Sequence, residues 1–188
     1  MSNLSTLPDK IAQLQNNYYA MNQKKTFFAS SQKNDCATTI SKHLGINELI
    51  CHTIYNIPNT NKIFFDYTIF KTYATEPIFE TIVDRLMQTT EACIQTYGSF
   101  EMHVNWNTYS VSAHERYKKI YQMFTTSCTF SRFNFSDKLI KMHVYNVPAM
   151  IDTLTPIIRP FVDPKIIDKI CLYTKKDSEY LLAQLSSR

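Results

Sequence analysis

The chain has 188 residues, of which 44% are hydrophobic and 13% aromatic, a composition typical of a globular protein and not of a disordered one. Its net charge of +4 is small and its basic doublets are scattered, which argues against a nucleic-acid binder. No run of about 20 apolar residues occurs, so we expect no membrane-spanning helix.

The five cysteines and five histidines are dispersed along the chain, without a C-x-x-C pair or two histidines at i, i+4 on a predicted helix. This pattern is typical of reduced, buried thiols and predicts neither a disulfide framework nor a metal site. The N-terminal MSNLSTLPDKIAQLQ lacks the basic-then-apolar order of a signal peptide, so we expect a cytoplasmic protein.

The first 70 residues are predicted to form two helices and then two strands. Pro8 suits the first turn of an amphipathic helix, and Asp35 is interpreted as the N-cap of a short helix that ends at Gly45. Residues 48–57 and 62–70 are rich in β-branched and aromatic types, and the PNTN between them is typical of a turn. A hairpin or two neighbouring strands is therefore predicted.

The rest of the chain alternates between helices and strands. Thr75 and Pro77 are expected to begin a long helix that Gly98 ends. The later elements are a strand at 100–106, a helix at 112–129, strands at 139–146 and 169–174, and a helix from 178 onward. This order predicts βαβ units, and hence one α/β unit with a mostly parallel β-sheet flanked by helices.

An apolar helix is predicted from Ala149 to Ile158, between the last two strands. Pro148 suits its first turn, where an amide hydrogen would have no partner, and Pro160 is expected to end it. The pattern fits an ordinary core helix as well as a helix that covers a cavity.

The segment from His143 to Tyr173 resembles the CRAL-TRIO lipid-binding domain of cellular retinaldehyde-binding proteins, α-tocopherol transfer protein and yeast-type phosphatidylinositol transfer proteins. The resemblance is carried by the NVP of residues 146–148 and by the I-x-P-F-x-D-P-K order from Ile158 to Lys165. It implies a divergent or minimal member of that family.

The resemblance implies a short helical N-terminal segment at 1–46 and a lipid-binding domain at 47–188. The sheet would be the floor of an apolar cavity, and the helix at about 148–160 would be its gate, hinged at Pro148 and Pro160. The candidates for lining residues, each of which fits the solid core equally well, are Met102, Val104, Trp106, Met142, Val144, Met150, Leu154 and Ile157.

In phosphoinositide-binding members, an acidic residue, a threonine and a lysine hold the headgroup. The resemblance places Asp137 and Lys169 at the acidic and lysine positions. Ile166 stands at the threonine position, which counts against specificity for phosphatidylinositol.

No catalytic motif, paired carboxylates or phosphate-binding glycine loop is found, so we expect no enzyme and no cofactor. The first hypothesis is a protein that binds, transfers or senses a lipid or other hydrophobic molecule and meets a membrane surface transiently. The second is a protein-interaction or assembly module on the same fold with a filled cavity, with a protein partner or self-association. The shortened N-terminal segment and the missing threonine motivate this alternative.

Overall fold

The computed structural model describes residues 6–22, 29–149 and 151–186. The helices within these ranges are α1 (Leu7–Met21), α2 (Ala29–Leu44), α3 (Ile46–Thr53), α4 (Tyr67–Tyr73), α5 (Phe79–Tyr97), α6 (Val111–Phe130), α7 (Phe135–Lys138), α8 (Ile151–Ile158) and α9 (Lys175–Ser186). The strands are β1 (Ile54–Asn56), β2 (Lys62–Asp66), β3 (Phe100–Asn105), β4 (Leu139–Tyr145) and β5 (Ile170–Leu172). Short 3-10 turns occupy Glu76–Ile78, Arg159–Phe161 and Pro164–Lys169.

The five strands form one mixed sheet in the order β1-β2-β3-β4-β5. β1 runs antiparallel to β2, and the remaining neighbours are parallel. The antiparallel pair follows from the short PNTN connection, which contains Asn59 at a left-handed φ of 58° and is too short for a parallel crossover. The predicted α/β fold, with a mostly parallel sheet flanked by helices, is confirmed.

The N-terminal helices confirm one sequence interpretation and correct another. The Thr6 hydroxyl and the Asp9 carboxylate cap α1 reciprocally, and Pro8 lies in its first turn as predicted. Asp35, however, is not an N-cap, because α2 already begins at Ala29 and Asp35 lies inside it. Gly45 follows the end of α2 as expected, with a φ of 81° that a side chain would disfavour.

The strand predicted at 48–57 is wrong for most of its length, since α3 extends to Thr53. Leu49, Ile50 and Thr53 are buried on one side of α3, and the Thr53 hydroxyl donates to the Leu49 carbonyl at 2.9 Å. Burial at helical spacing against the core thus outweighs the β-propensity of the segment.

The strand predicted at 62–70 ends early for a related reason. The Asp66 carboxylate accepts hydrogen bonds from the Thr68 amide at 2.8 Å and from the Thr68 hydroxyl at 2.6 Å. This N-cap starts α4 at Tyr67, so the buried aromatic residues that follow lie on a helix. The end of α5 at Gly98, with a φ of 78°, was predicted correctly.

The sheet has two faces that differ in chemistry. The inner face carries apolar side chains that pack against the main hydrophobic core, including Ile63, Met102, Val104 and Met142. The outer face carries the alternate residues of β3 and β4, including Glu101, His103, His143 and Tyr145. Among these, His103 is only 2% exposed, so the outer face is covered at that point.

The predicted gate segment is shorter and less regular than expected. α8 begins at Ile151, after Pro148 and Ala149, and contains Pro156 within its length. Pro160 lies in the following 3-10 turn. No helix of the described residues is long and apolar enough to cross a membrane.

Candidate functional site

Four of the predicted lining residues lie together on the inner face. The β3–β4 register pairs Met102 with Met142 and Val104 with Val144, so two adjacent strands present apolar side chains to one side. Met102, Val104 and Val144 are buried, and Met142 is half-buried. Met142 therefore retains access to any space above the sheet.

Trp106 is placed differently from the other strand candidates, because β3 ends at Asn105. Its backbone amide donates to the Tyr145 carbonyl at 2.9 Å, which continues the contact between the ends of β3 and β4. Its ring stacks on Tyr109, with ring centroids 4.6 Å apart. Trp106 is thus half-buried at the edge of the inner face.

Two of the remaining gate candidates lie on α8. Leu154 and Ile157 belong to this helix, and Met150 lies outside the described residues. The Ile151 amide donates to the Pro148 carbonyl at 3.0 Å, and the Ile151 side chain packs against the main core. The start of α8 is therefore anchored to the same core as the inner face.

The NVP motif has a clear structural role at the end of β4. Asn146 adopts a left-handed φ of 56°, a conformation that asparagine tolerates better than most residues. Its backbone amide donates to the Ser178 hydroxyl at 2.7 Å, and its side-chain amide donates to the Asn105 side chain at 2.9 Å. Asn146 therefore joins the ends of β3 and β4 to α9.

The two headgroup candidates are engaged in protein contacts and do not meet. The Lys169 ammonium donates to the carbonyls of Ser136 and Leu139, each at 2.7 Å. The Asp137 carboxylate lies 3.3 Å from the Lys165 ammonium on the surface. Ile166, at the position where a threonine was expected, packs against the main core.

A hydrogen bond also connects α7 to the motif around Asp163. The Ser136 hydroxyl donates to the Asp163 carboxylate, which also accepts from the Lys165 amide at 2.9 Å. These hydrogen bonds lower the pKa of Asp163 below its ordinary value. The segment after α8 is therefore held to α7 by polar contacts that were not visible in the sequence.

The outer face holds a polar cluster that the sequence patterns did not reveal. The register places His103 directly opposite His143, and their rings stack with centroids 4.6 Å apart. The Glu101 carboxylate oxygen lies 3.6 Å from His103 Nε2 and 3.9 Å from His143 Nε2. Alternation put Glu101 and His103 on one face, but only the register adds His143.

A cleft of about 430 Å³ lies between this cluster and α9. Burial, together with His143 and Lys62, lowers the pKa of His103 to about 3. Burial also lowers the pKa of His143, although the nearby Glu101 opposes the shift. Both imidazoles are therefore neutral at pH 7. The cleft is lined by Lys62, Glu101, His103, Ile140, Lys141, His143, Tyr145, Tyr173, Leu181, Gln184 and Leu185.

Comparison with known proteins identifies the family of the chain. Residues 54–187 match the family model of the CRAL/TRIO domain. Among solved structures, the crystal structure of Sfh5 aligns with 88% of this chain and 67% of that chain, at 14% sequence identity and a TM-score of 0.47. No curated protein sequence matches the chain.

Proposed function

The chain belongs to the CRAL/TRIO domain family, which is known for binding and transferring lipids and other hydrophobic molecules and not for catalysis, and on that premise we propose that it binds such a molecule. The observation that carries the proposal is the family match, which spans every strand of the sheet, α8 and α9. The resemblance read from the NVP and I-x-P-F-x-D-P-K motifs is confirmed.

The inner face is the proposed floor of the binding site, with α8 as its cover. Met102, Val104, Met142 and Val144 present a continuous apolar surface, and the start of α8 packs on the same core. Burial of about a dozen methylene groups would contribute about 10 kcal/mol, at about 0.8 kcal/mol each. This is enough to hold one acyl or isoprenoid chain without any polar contact.

The proposal does not extend to a specific phosphoinositide headgroup. A phosphate at Lys169 would have to replace two carbonyl acceptors that the ammonium already contacts. At the position of the family's threonine, Ile166 offers no hydroxyl to a headgroup. The proposal therefore defines the ligand only by its apolar chain. Asp137 and Lys169 are retained as candidates for contact with a polar headgroup.

We further propose a cytoplasmic protein that meets membranes transiently, since ligand exchange requires the apolar chain to pass between protein and bilayer. The proposed division places a helical segment at 1–46 before a lipid-binding unit at 47–188. The family match over residues 54–187 supports the division, and the action of many family members at membranes supports the transient contact.

The test uses the full chain purified without added lipid. We expect organic extraction and native mass spectrometry to recover a co-purified lipid or other apolar molecule. Transfer of a phosphatidylcholine with a fluorescent acyl chain between vesicles should be accelerated by the protein. A protein that is empty, and that neither takes up nor transfers the labelled lipid, contradicts the proposal.

A matched pair of variants tests the location of the site. Met142→Trp introduces a large ring on the half-buried part of the inner face and should lower ligand recovery and transfer severalfold. Tyr180→Trp places the same side chain at a position on α9 that is 68% exposed and should change neither. Equal effects of the two substitutions would remove the inner face from the proposal.

One observation favours the alternative function. Met102, Val104 and Val144 are each less than 10% exposed and are enclosed by neighbouring side chains. A filled interior of this kind suits a protein-interaction or assembly module. Ligand-free protein that remains fully folded and elutes as a stable oligomer or with a defined protein partner would support this alternative.

A further inference from the structure

The outer face of the sheet carries three side chains with the chemistry of metal ligands. Among the residues that the structure describes, Glu101, His103 and His143 bring one carboxylate oxygen and two imidazole nitrogens within 4.8 Å of one another. We propose that these three residues bind a divalent transition-metal ion of the zinc type. The inference departs from the expectation, based on sequence spacing, that no metal site exists.

The distances are close to those of a tetrahedral site. Nitrogen and oxygen ligands about 2.1 Å from a tetrahedral zinc ion lie about 3.4 Å from each other. The Glu101 oxygen is 3.6 Å from His103 Nε2 and 3.9 Å from His143 Nε2. All three ligand atoms lie within 4.8 Å of one another, so side-chain rotations that bring them about 1 Å closer would place them around one ion.

The two imidazoles are oriented as metal ligands usually are. His103 Nδ1 lies 2.8 Å from the Tyr145 hydroxyl, and His143 Nδ1 lies 2.9 Å from the Tyr173 hydroxyl. When each tyrosine oxygen accepts a hydrogen bond from Nδ1, the proton of the neutral imidazole is on Nδ1. Nε2 then carries the lone pair that a metal ion requires, on the side of the ring near Glu101. Hydrogen bonds of this kind fix the tautomer and the ring orientation of metal-binding histidines.

One ligand atom lacks a partner in the metal-free arrangement. His103 Nε2 is fully buried and has no hydrogen-bond partner among the described residues. A buried polar atom without a partner destabilises the folded state. A metal ion at this position would give His103 Nε2 the partner that it lacks.

The charges around the cluster set the strength of binding. Glu101 supplies one negative charge, whereas Lys62 and Lys141, which also line the cleft, oppose a cation. We therefore expect a metal that exchanges with solution. Three protein ligands leave a fourth position that faces the 430 Å³ cleft and is open to water or to a small donor molecule.

This site lies on the opposite face of the sheet from the proposed lipid site. Met102 and Met142 point to the inner face, whereas the neighbouring His103 and His143 point to the outer face. Loss of metal binding and loss of lipid binding are therefore separable, and the metal inference does not depend on the proposed function.

The experiment titrates the metal-free full chain with Co²⁺ and, in parallel, with Zn²⁺. Because Cys51 is exposed and a thiolate can bind either ion, all proteins carry Cys51→Ser. We expect one ion per chain, with a visible absorption band of tetrahedral Co²⁺ that Zn²⁺ removes. His143→Gln should lower the affinity at least tenfold, whereas His43→Gln, at an exposed position outside the cluster, should leave it unchanged.

Two further variants separate metal binding from a purely structural role. Tyr173→Phe should weaken binding about 10- to 100-fold through the orientation of His143. Lys141→Gln should tighten binding severalfold, because one opposing charge is removed. A chain that binds no ion, or that binds equally well with His143→Gln and is indifferent to Lys141→Gln, overturns the proposal.

Discussion

The ammonium group of Lys169 donates a hydrogen bond to the backbone carbonyl of Leu139, with an N–O distance of 2.7 Å. A second hydrogen bond of the same length reaches the Ser136 carbonyl. One side chain thus ties the 3-10 turn before β5 to the start of β4. Lys169, which the family resemblance assigned to a ligand contact, is therefore already hydrogen-bonded to two carbonyls of the protein.

We expect Lys169→Met to lower the free energy of unfolding by about 1–3 kcal/mol, because charge-assisted hydrogen bonds to two carbonyls are lost. Urea unfolding measures this change. Lys165→Met is the matched control, since Lys165 forms an exposed pair with Asp137 and should contribute less than about 1 kcal/mol. Equal losses in the two variants would contradict the structural role of Lys169.

Asn146 provides a second prediction, at the NVP motif. Asn146→Ala should cost about 2 kcal/mol, because alanine disfavours the left-handed φ of 56° and the hydrogen bond to Asn105 is lost. Asn146→Gly should cost about half as much, since glycine accepts the backbone conformation. Thermal and urea unfolding of both variants check the difference. An alanine variant at least as stable as the glycine variant would refute the explanation.

The core contains a hydrogen bond between Tyr73 and Thr53 whose contribution can be isolated. The Tyr73 hydroxyl donates to the Thr53 hydroxyl at 3.0 Å, and both residues are fully buried. Tyr73→Phe removes this bond with little change in packing and should cost about 1 kcal/mol. Tyr180→Phe, at an exposed position, should have no measurable effect on urea unfolding.

His114 predicts a specific dependence of stability on pH. It is buried beside Tyr109 and Tyr121, and this burial lowers its pKa below 6.5. The positive charge of Lys118 lowers the pKa further, whereas the negative charge of Glu115 opposes the shift. The neutral form is favoured in the folded state, so its stability contribution is complete above about pH 6.5 and is lost as the pH falls.

The measurement compares the free energy of unfolding of the wild type and of His114→Gln between about pH 7.5 and pH 5. We expect the wild type to lose more stability over this interval than the variant. The other histidines are the same in both proteins, so the difference between the two curves reports His114. Parallel curves would show that His114 does not contribute.

The cysteines should differ in their rates of alkylation. Cys51 is exposed, whereas Cys36 and Cys93 are buried. Burial raises the pKa of the Cys128 thiol to about 12, which leaves about a thousandfold less thiolate than an ordinary thiol with a pKa of 9.0.

Iodoacetamide labelling of the native protein, followed by peptide mass spectrometry, should therefore find Cys51 modified first and Cys128 much later. Cys51→Ser should remove the fast phase and leave the slow one. Labelling of Cys128 at the rate of Cys51 would show that the segment around it opens readily.

The alternation of elements was predictable from sequence because each segment carries its own signal. The helix that ends at Gly98 and the strand from Phe100 have clear periodicities, and both were predicted correctly. The segment at 48–53 was predicted wrongly because its β-branched residues pack on a helix, which only the surrounding core determines. Asp35 failed as a cap for a similar reason, since α2 extends six residues before it.

The candidate sites also differ in whether local sequence or tertiary structure determines them. Alternation within β3 and β4 predicts that Met102 and Val104 share a face, as do Met142 and Val144, and the structure places all four together. The cluster of Glu101, His103 and His143 also requires the pairing between strands about 40 residues apart in the chain. That pairing depends on tertiary structure, and no local pattern encodes it.

Pro156 has a consequence for how α8 can deform. Proline has no amide hydrogen, so Pro156 cannot donate the usual backbone hydrogen bond to the Asp152 carbonyl one turn earlier. The middle of α8 therefore lacks one backbone hydrogen bond of a regular helix, and Asp152 at this turn is exposed. We therefore expect α8 to bend near Pro156, so that its two halves separate, more readily than it rotates as one rigid body about Pro148 and Pro160.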